Sequence, residues 1–257
     1  MCPHNPPLVA EPDAVECIGK LSRLRRYPVK GMAGEDLDAS YVTYAGLLGD
    51  RVYAFIDAEG PATFPWMTAR KGRDLILFRP RFLNTLPVES EIISANYAAE
   101  VTTPEGETLR ADDPALRQLL ERRYQKTLEF RHSERSMMDL APISLFGLAT
   151  VQALSEETGL QLNPLRFRAN FYVEWANGGP FFEDSLVGRE LRIGESVAIR
   201  IVKKDGRCVM INLDPDTAEA SPVVLERVAR HHEGCSGVYG AVLREGLVRT
   251  NDPVYLA

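Results

Sequence analysis

The chain has 257 residues, 45% of them hydrophobic and 26% charged, with 36 Asp and Glu against 30 Lys and Arg for a formal charge of −6. At this length roughly 70–75% of the unfolded chain's surface can be buried, so a core that needs no disulfides is available, and a disordered or collagen-like chain is excluded. Both halves are acidic, which disfavours a nucleic-acid-binding module, and the four cysteines form no C-x-x-C pair, which fits reduced thiols in a cytoplasmic protein and not a structural zinc site.

Residues 1–14 read as an N-terminal tail. They hold no Lys or Arg and only Leu8-Val9-Ala10 as an apolar run, too little for a secretory signal. Residues 15–140 read as a β-rich domain, with strands at Cys17 to Arg25, Leu37 to Tyr44, Arg51 to Asp57, Asp74 to Phe78, Glu100 to Thr103 and Leu128 to Arg131. Within it, Asp112 or Asp113 caps a helix from Pro114 to about Tyr124, with Leu116, Leu119 and Leu120 on one face. Near residues 133–142 the charged Ser133-Glu134-Arg135 gives way to the apolar run Ala141 to Leu154, which opens a second domain, residues 141–257. That run has 14 residues and several polar interruptions, short of the ~20 apolar residues that span a membrane. A helix follows from about Leu148 to Thr158, stopped by Gly159, and then a strand at Phe171 to Trp175. Val197, Ile199 and Ile201 alternate with Ala198, Arg200 and Val202 in a strand from Val197 to Lys203. Asp205-Gly206 looks like a tight turn into a strand from Arg207 to Leu213. A third helix starts at Ser221-Pro222, carries Val224, Leu225 and Val228 on one face and stops at Gly234, before a strand at Val238 to Arg244. The class is β-rich α+β with a few short helices.

Cys208 is the first residue with candidate chemistry. Arg207 precedes it and Lys203 and Lys204 lie across the expected turn, and cations near a thiol favour the thiolate that attacks electrophiles or ligates soft metals. A small buried hydrophobe on a strand is the plain alternative. Asp214-Pro215-Asp216-Thr217 places carboxylates at the rim where that strand ends, although the same sequence is ordinary turn chemistry. His231 and His232 are adjacent and cannot share one helix face. Gly234-Cys235-Ser236-Gly237 lacks the strand-turn-helix setting of a nucleophile elbow. Lys30, Arg51 and Arg168 each end or interrupt an apolar run, and cations drawn inward need an anionic partner. No Walker or G-x-G-x-x-G sequence is present.

Taken in order, Tyr27-Pro28-Val29-Lys30-Gly31, Gly49-Asp50-Arg51, Phe167-Arg168-Ala169-Asn170, Phe182-Glu183-Asp184-Ser185 with Gly188, and Arg207-Cys208 leading to Asp214-Pro215-Asp216-Thr217 resemble the MOSC proteins. The likeness extends from Cys17 to the end and is nearest to the amidoxime-reducing component group and its bacterial relatives. It implies a MOSC β-barrel preceded by a MOSC-associated β-rich domain, with a molybdenum cofactor of the molybdopterin type held between them. In that resemblance Cys208 is the protein ligand of molybdenum and, with Asp214, a catalytic residue. Lys30, Arg51 and Arg168 hold the pterin and its phosphate, and Gly31, Asn170, Gly206, Arg207 and Tyr239 line the same cofactor. The implied activity is reduction of an N-hydroxylated or N-oxide small molecule. Electrons come from a separate ferredoxin-like, flavin reductase or cytochrome-type protein, because no flavin, haem or iron-sulfur motif is present, and neither nucleic acid nor membrane is an expected partner. The alternative is a non-redox carrier of sulfur or of the cofactor on the Cys208 thiolate.

Overall fold

The computed structural model describes residues 16–83 and 98–257; the N-terminal tail and Cys2 lie outside the described residues. In chain order the N-terminal portion holds β1 (Glu16–Arg26), β2 (Glu35–Leu37), β3 (Ala39–Thr43), β4 (Gly46–Leu47), β5 (Tyr53–Asp57), β6 (Arg79–Phe82), β7 (Ala99–Thr102), β8 (Thr108–Arg110), α1 (Pro114–Tyr124) and β9 (Leu128–His132). The remainder holds β10 (Ile143–Gly147), α2 (Leu148–Thr158), β11 (Phe171–Trp175), β12 (Glu190–Ile193), β13 (Val197–Gly206), α3 (Val223–His231), β14 (Cys235–Arg244), β15 (Gly246–Arg249) and β16 (Pro253–Leu256).

Seven strands close into a barrel in the order β11-β10-β14-β13-β12-β16-β1, with β1 returning to β11. Closure leaves no unpaired edge within the ring. Inside it pack Leu21, Leu24, Leu145, Val173, Leu191, Ile199, Ile201 and Val238, all essentially without exposure. The alternation read along Val197 to Ile201 is the burial pattern of β13. Only β10 and β11 run parallel, with Leu145 opposite Phe171, and a parallel pair requires a crossover, which α2 supplies. Helix α2 ends at Gly159 with φ +69, the left-handed position a glycine fills without a Cβ clash.

A second core, including Val29, Met32, Phe55, Met67, Phe78, Val101, Leu116 and Leu128, sits under the β5–β9 pair and the β6-β7-β8 sheet. Helix α1 begins as expected: the Asp113 carboxylate accepts from the Ala115 amide at 2.8 Å and Pro114 occupies the first turn. β15 pairs with β3, so the end of the chain also reaches back to its beginning.

Two expected strands are not strands. Residues 73–77 form a 3₁₀ turn, because Leu75 and Ile76, neighbours in sequence, are both buried, whereas a strand sends neighbours to opposite faces. Arg207 to Leu213 is not the second arm of a hairpin. β13 continues through Asp205 to Gly206, which pairs with Cys235, and Cys208 caps a 3₁₀ turn over Val209–Asn212.

Candidate functional site

Where the barrel end meets the N-terminal portion there is a cavity of about 400 Å³. Lys30, Gly31, Arg51, Arg168, Asn170, Gly206, Arg207, Cys208 and Tyr239 all line it; Asp214 does not. Register shifts in the β13–β14 ladder between Ile201 and Lys203 and between Lys204 and Gly206 break the alternation at this end of the strand. Lys203 and Asp205, two apart, reach the cavity from one strand face, and Gly206 joins them past the second shift.

Tyr27 organises the cation wall. The guanidinium groups of Arg168 and Arg51 lie over its ring at 4.5 and 4.8 Å. Both arginines have left-handed backbones at φ 52, a conformation that disfavours any residue with a Cβ and is concentrated at functional sites. Arg51 pairs with the buried Asp50 carboxylate, which also accepts from the Tyr27 amide at 2.8 Å. Burial pulls the Arg51 guanidinium down, and Asp50, Tyr27 and Asp139 more than offset it, so it is net raised. Arg168 donates to the Met32 carbonyl at 2.7 Å and, among the described residues, pairs with no carboxylate. Burial, with Arg51 and Arg25 adding repulsion, lowers its pKa. Lys30 is buried and bonds Asp139 and the Met137 carbonyl. Desolvation outweighs Asp139 and leaves the Lys30 ammonium below its ordinary value. Gly31 adopts φ +87, and a Cβ there would stand 3.0 Å from the Met67 carbonyl oxygen and Thr68 Cα.

On the barrel side Arg207 pairs with Asp205 at 2.7 Å and donates to the Ser236 and Phe167 carbonyls at 2.7 and 2.9 Å, which fixes the residue just before Cys208. Burial raises the Asp205 carboxyl despite Arg207, and burial together with Asp205 pushes the Tyr239 hydroxyl up. Asn170 is spent on structure: its Oδ1 accepts from Ser144 Oγ at 3.1 Å and its Nδ2 donates to the Arg25 carbonyl at 3.2 Å. Cys208 is a partly exposed free thiol. Asp214 instead holds Arg166, accepting from its Nη2 at 3.0 Å.

Arg166 is one of the residues that reading the sequence did not single out. It is buried, lines the cavity, and leaves its Nε without a partner. The signal was available in Leu165-Arg166-Phe167-Arg168, where two arginines alternate with apolar residues. Arg70 and Asp139 were also missed, Asp205 was read only as part of a turn, and Lys203, read as a cation beside Cys208, does line the cavity with it. The cavity is lined by seven cations and two carboxylates in a chain whose net charge is −6, so the surplus is positive and local. Such a cavity suits a phosphate-bearing anion. Among the described residues no group of three or more His, Cys, Asp and Glu could hold a metal ion alone. The remaining motifs lie elsewhere: His232 bonds Glu157 at 2.9 Å and stacks on Phe181, and Cys235 begins β14 with its thiol pushed up by burial. No helix among the described residues is long and apolar enough to cross a membrane.

Comparison with known proteins bears on both portions. The molybdenum cofactor sulfurases of Drosophila mojavensis and Drosophila grimshawi are 28% and 26% identical over 249 and 245 residues, in each case 84% of this chain. The chain spans only 30% and 31% of their lengths. Among solved structures, the YuaD protein of Bacillus subtilis is 16% identical with a TM-score of 0.49, covering 93% of this chain and 94% of that one. YiiM of Geobacillus stearothermophilus is 18% identical with a TM-score of 0.36, covering 46% and 54%. The family model of the MOSC N-terminal beta barrel domain matches residues 18–133 and that of the MOSC domain matches residues 132–255, and the chain therefore belongs to the MOSC family.

Proposed function

We propose that the cavity binds a molybdopterin-type molybdenum cofactor and that the protein is an oxidoreductase for N-hydroxylated or N-oxide small molecules. The observation that carries this reading is the union, in one cavity, of the free Cys208 thiol with seven cations, two of them arginines in left-handed backbone. The fit is chemical on both counts. A single thiolate suits a transition metal whose other ligands arrive with it, and Arg51, Arg168 and the unpartnered Arg166 Nε suit an anionic phosphate and pterin edge.

When bound, the cofactor supplies two-electron removal of oxygen from an N–O bond, with two electrons and two protons converting the N-hydroxyl group to N–H and water. The electrons come from a separate donor protein. The chain's own part is to hold and to enclose: Cys208 ligates, Arg51 and Arg168 orient, and Phe64, Met210 and Ile211 limit water around the substrate. Asp214 acts at one remove, as a positioning residue for Arg166.

A second reading, delivery of sulfur or cofactor from Cys208, is favoured by the relatives named molybdenum cofactor sulfurase. Metal analysis of protein from a molybdenum-replete host separates the two. Near-stoichiometric molybdenum with amidoxime turnover supports the reductase, and a Cys208 persulfide without metal supports the carrier. Cys208→Ser should abolish molybdenum-dependent turnover while the melting temperature stays within a few degrees, because oxygen is a poorer ligand and the volume hardly changes. Full turnover in that variant overturns the ligand assignment.

A further inference from the structure

The seven cations of the cavity are not equivalent. Lys30, Arg51, Arg166 and Arg207 each face a carboxylate: Asp139, Asp50, Asp214 and Asp205 respectively. Arg168 is fixed on Met32 over the Tyr27 ring, within the wall assigned above to the cofactor. Two remain. Arg70 and Lys203 are both exposed, both line the cavity, and neither is within 4.0 Å of a carboxylate oxygen among the described residues. They come from different portions of the chain, Arg70 from the N-terminal portion and Lys203 from β13, where it pairs with Tyr239. The Arg70 guanidinium lies over the Phe64 ring at 4.6 Å, so cation and aromatic face form one platform, and Phe64 also lines the cavity. The two carboxylates of the lining are engaged by Lys30 and Arg207, and Asp139 also feels Arg70, so an entering cation meets a surplus of positive charge and two acids that already have cationic partners.

We infer that the open side of the cavity selects substrates carrying an oxyanion, carboxylate or phosphate, on a planar frame, and rejects cationic ones. This rests on the reading that small N-hydroxylated compounds enter here. Phe64 supplies a face for the frame, Arg70 and Lys203 supply exposed charge held in no close ion pair among the described residues, and the cofactor is held by the other cations. Because both cations are exposed, their effect is screened by salt.

The test uses the full chain as purified and benzamidoximes that differ only at the para position: hydrogen, carboxylate, phosphonate or trimethylammonium. Binding is read by calorimetry, and turnover is read alongside with dithionite-reduced methyl viologen supplying the two electrons per N–O bond. The carboxylate compound should bind about tenfold more tightly than the neutral one and the trimethylammonium compound about tenfold more weakly at low salt, with the spread shrinking at 300 mM salt by the order of the Debye screening. Arg70→Gln and Lys203→Gln should each reduce the carboxylate-to-neutral ratio about threefold, as for an exposed ion pair, and Lys203→Arg should restore it. Tighter binding of phosphonate than of carboxylate assigns phosphate as the preferred group. Equal affinity across the series, or a preference untouched in both glutamine variants, overturns the inference. Charge preference without turnover of any compound sinks the reductase reading and leaves this one standing; turnover without charge preference does the reverse.

Discussion

Arg51 and Arg168 share a ring, a backbone conformation and a charge, yet their surroundings set different consequences for losing them. Arg168 pairs with no carboxylate among the described residues and feels the repulsion of Arg51 and Arg25, so it is a charge suited to a bound counter-charge. Arg168→Gln should lower cofactor content tenfold or more, the order of one charge-assisted hydrogen bond, without lowering the melting temperature of cofactor-free protein. Pterin fluorescence per mole and a melting curve check both halves. Arg51→Gln should behave differently, because it strips the partner from Asp50, which is 1% exposed and retains only the Tyr27 amide. Leaving such a carboxylate unpaired costs about 3 kcal/mol, the lower end for a buried pair because Arg51 keeps some exposure. Urea titration of the cofactor-free variants should therefore separate the two. Equal midpoints would mean that Asp50 finds water or another donor. Cys235→Ser, in contrast, should match wild type in stability and cofactor content, since Cys235 is not among the cavity lining and its thiol's bond to the Glu233 carbonyl is one a serine hydroxyl can make.

Among the elements, the junction of β10, α2 and β11 depends on one residue inserted from the 3₁₀ turn over residues 182–186. Glu183 has no exposure, and its carboxylate accepts from the Gly147 amide at 3.1 Å, Thr150 Oγ1 at 2.9 Å and Trp175 Nε1 at 3.2 Å. Its negative charge sits beside the N-terminus of α2, where Gly147 offers no side chain, and ties the N-cap amide to the Thr150 hydroxyl and the Trp175 indole. Glu183→Ala would orphan three donors and should cost about 3–5 kcal/mol, measured as a lowered urea midpoint; a loss under 1 kcal/mol would mean that water replaces the carboxylate. Residue patterns made part of this level legible. Asp113-Pro114 and Gly159 placed helix ends by chemistry local to them, and Val197 to Ile201 showed a one-sided strand. The Arg207 to Leu213 turn was not legible because its cause is remote: Arg207 is held by Ser236 and Phe167, 29 and 40 residues away. Arg70 escaped notice for the same reason, as it has no local pattern and only the fold brings it to one cavity with Lys203, which was legible beside Cys208. Closure of the barrel likewise rests on β1 pairing with β11, a contact between distant segments.

At the scale of the molecule, the cavity is a positive region in a negative protein, and its walls belong to different portions of the chain. Lys30, Arg51 and Arg70 come from the N-terminal portion and Arg166, Arg168, Lys203 and Arg207 from the barrel side, so like charges from both portions gather in one cavity, Arg51 and Arg168 over the same Tyr27 ring. A multivalent anion bound there would relieve that repulsion and tie the two walls together, which couples ligand binding to global stability. Inorganic phosphate is a suitable probe for the cofactor-free protein. If it binds with a Kd on the order of 10 mM, 50 mM phosphate should add about 1 kcal/mol and raise the melting temperature by about 2–4 °C. Sodium chloride at matched ionic strength should give less than half of that shift, since chloride cannot accept several hydrogen bonds at once. In Arg168→Gln the phosphate increment should fall by at least half, and in cofactor-loaded protein it should disappear because the site is filled. An equal rise with chloride would reduce the effect to general screening of surface charge. A full phosphate increment in the loaded protein would place the anion outside this cavity, and the positive lining would then have to be explained by the fold alone.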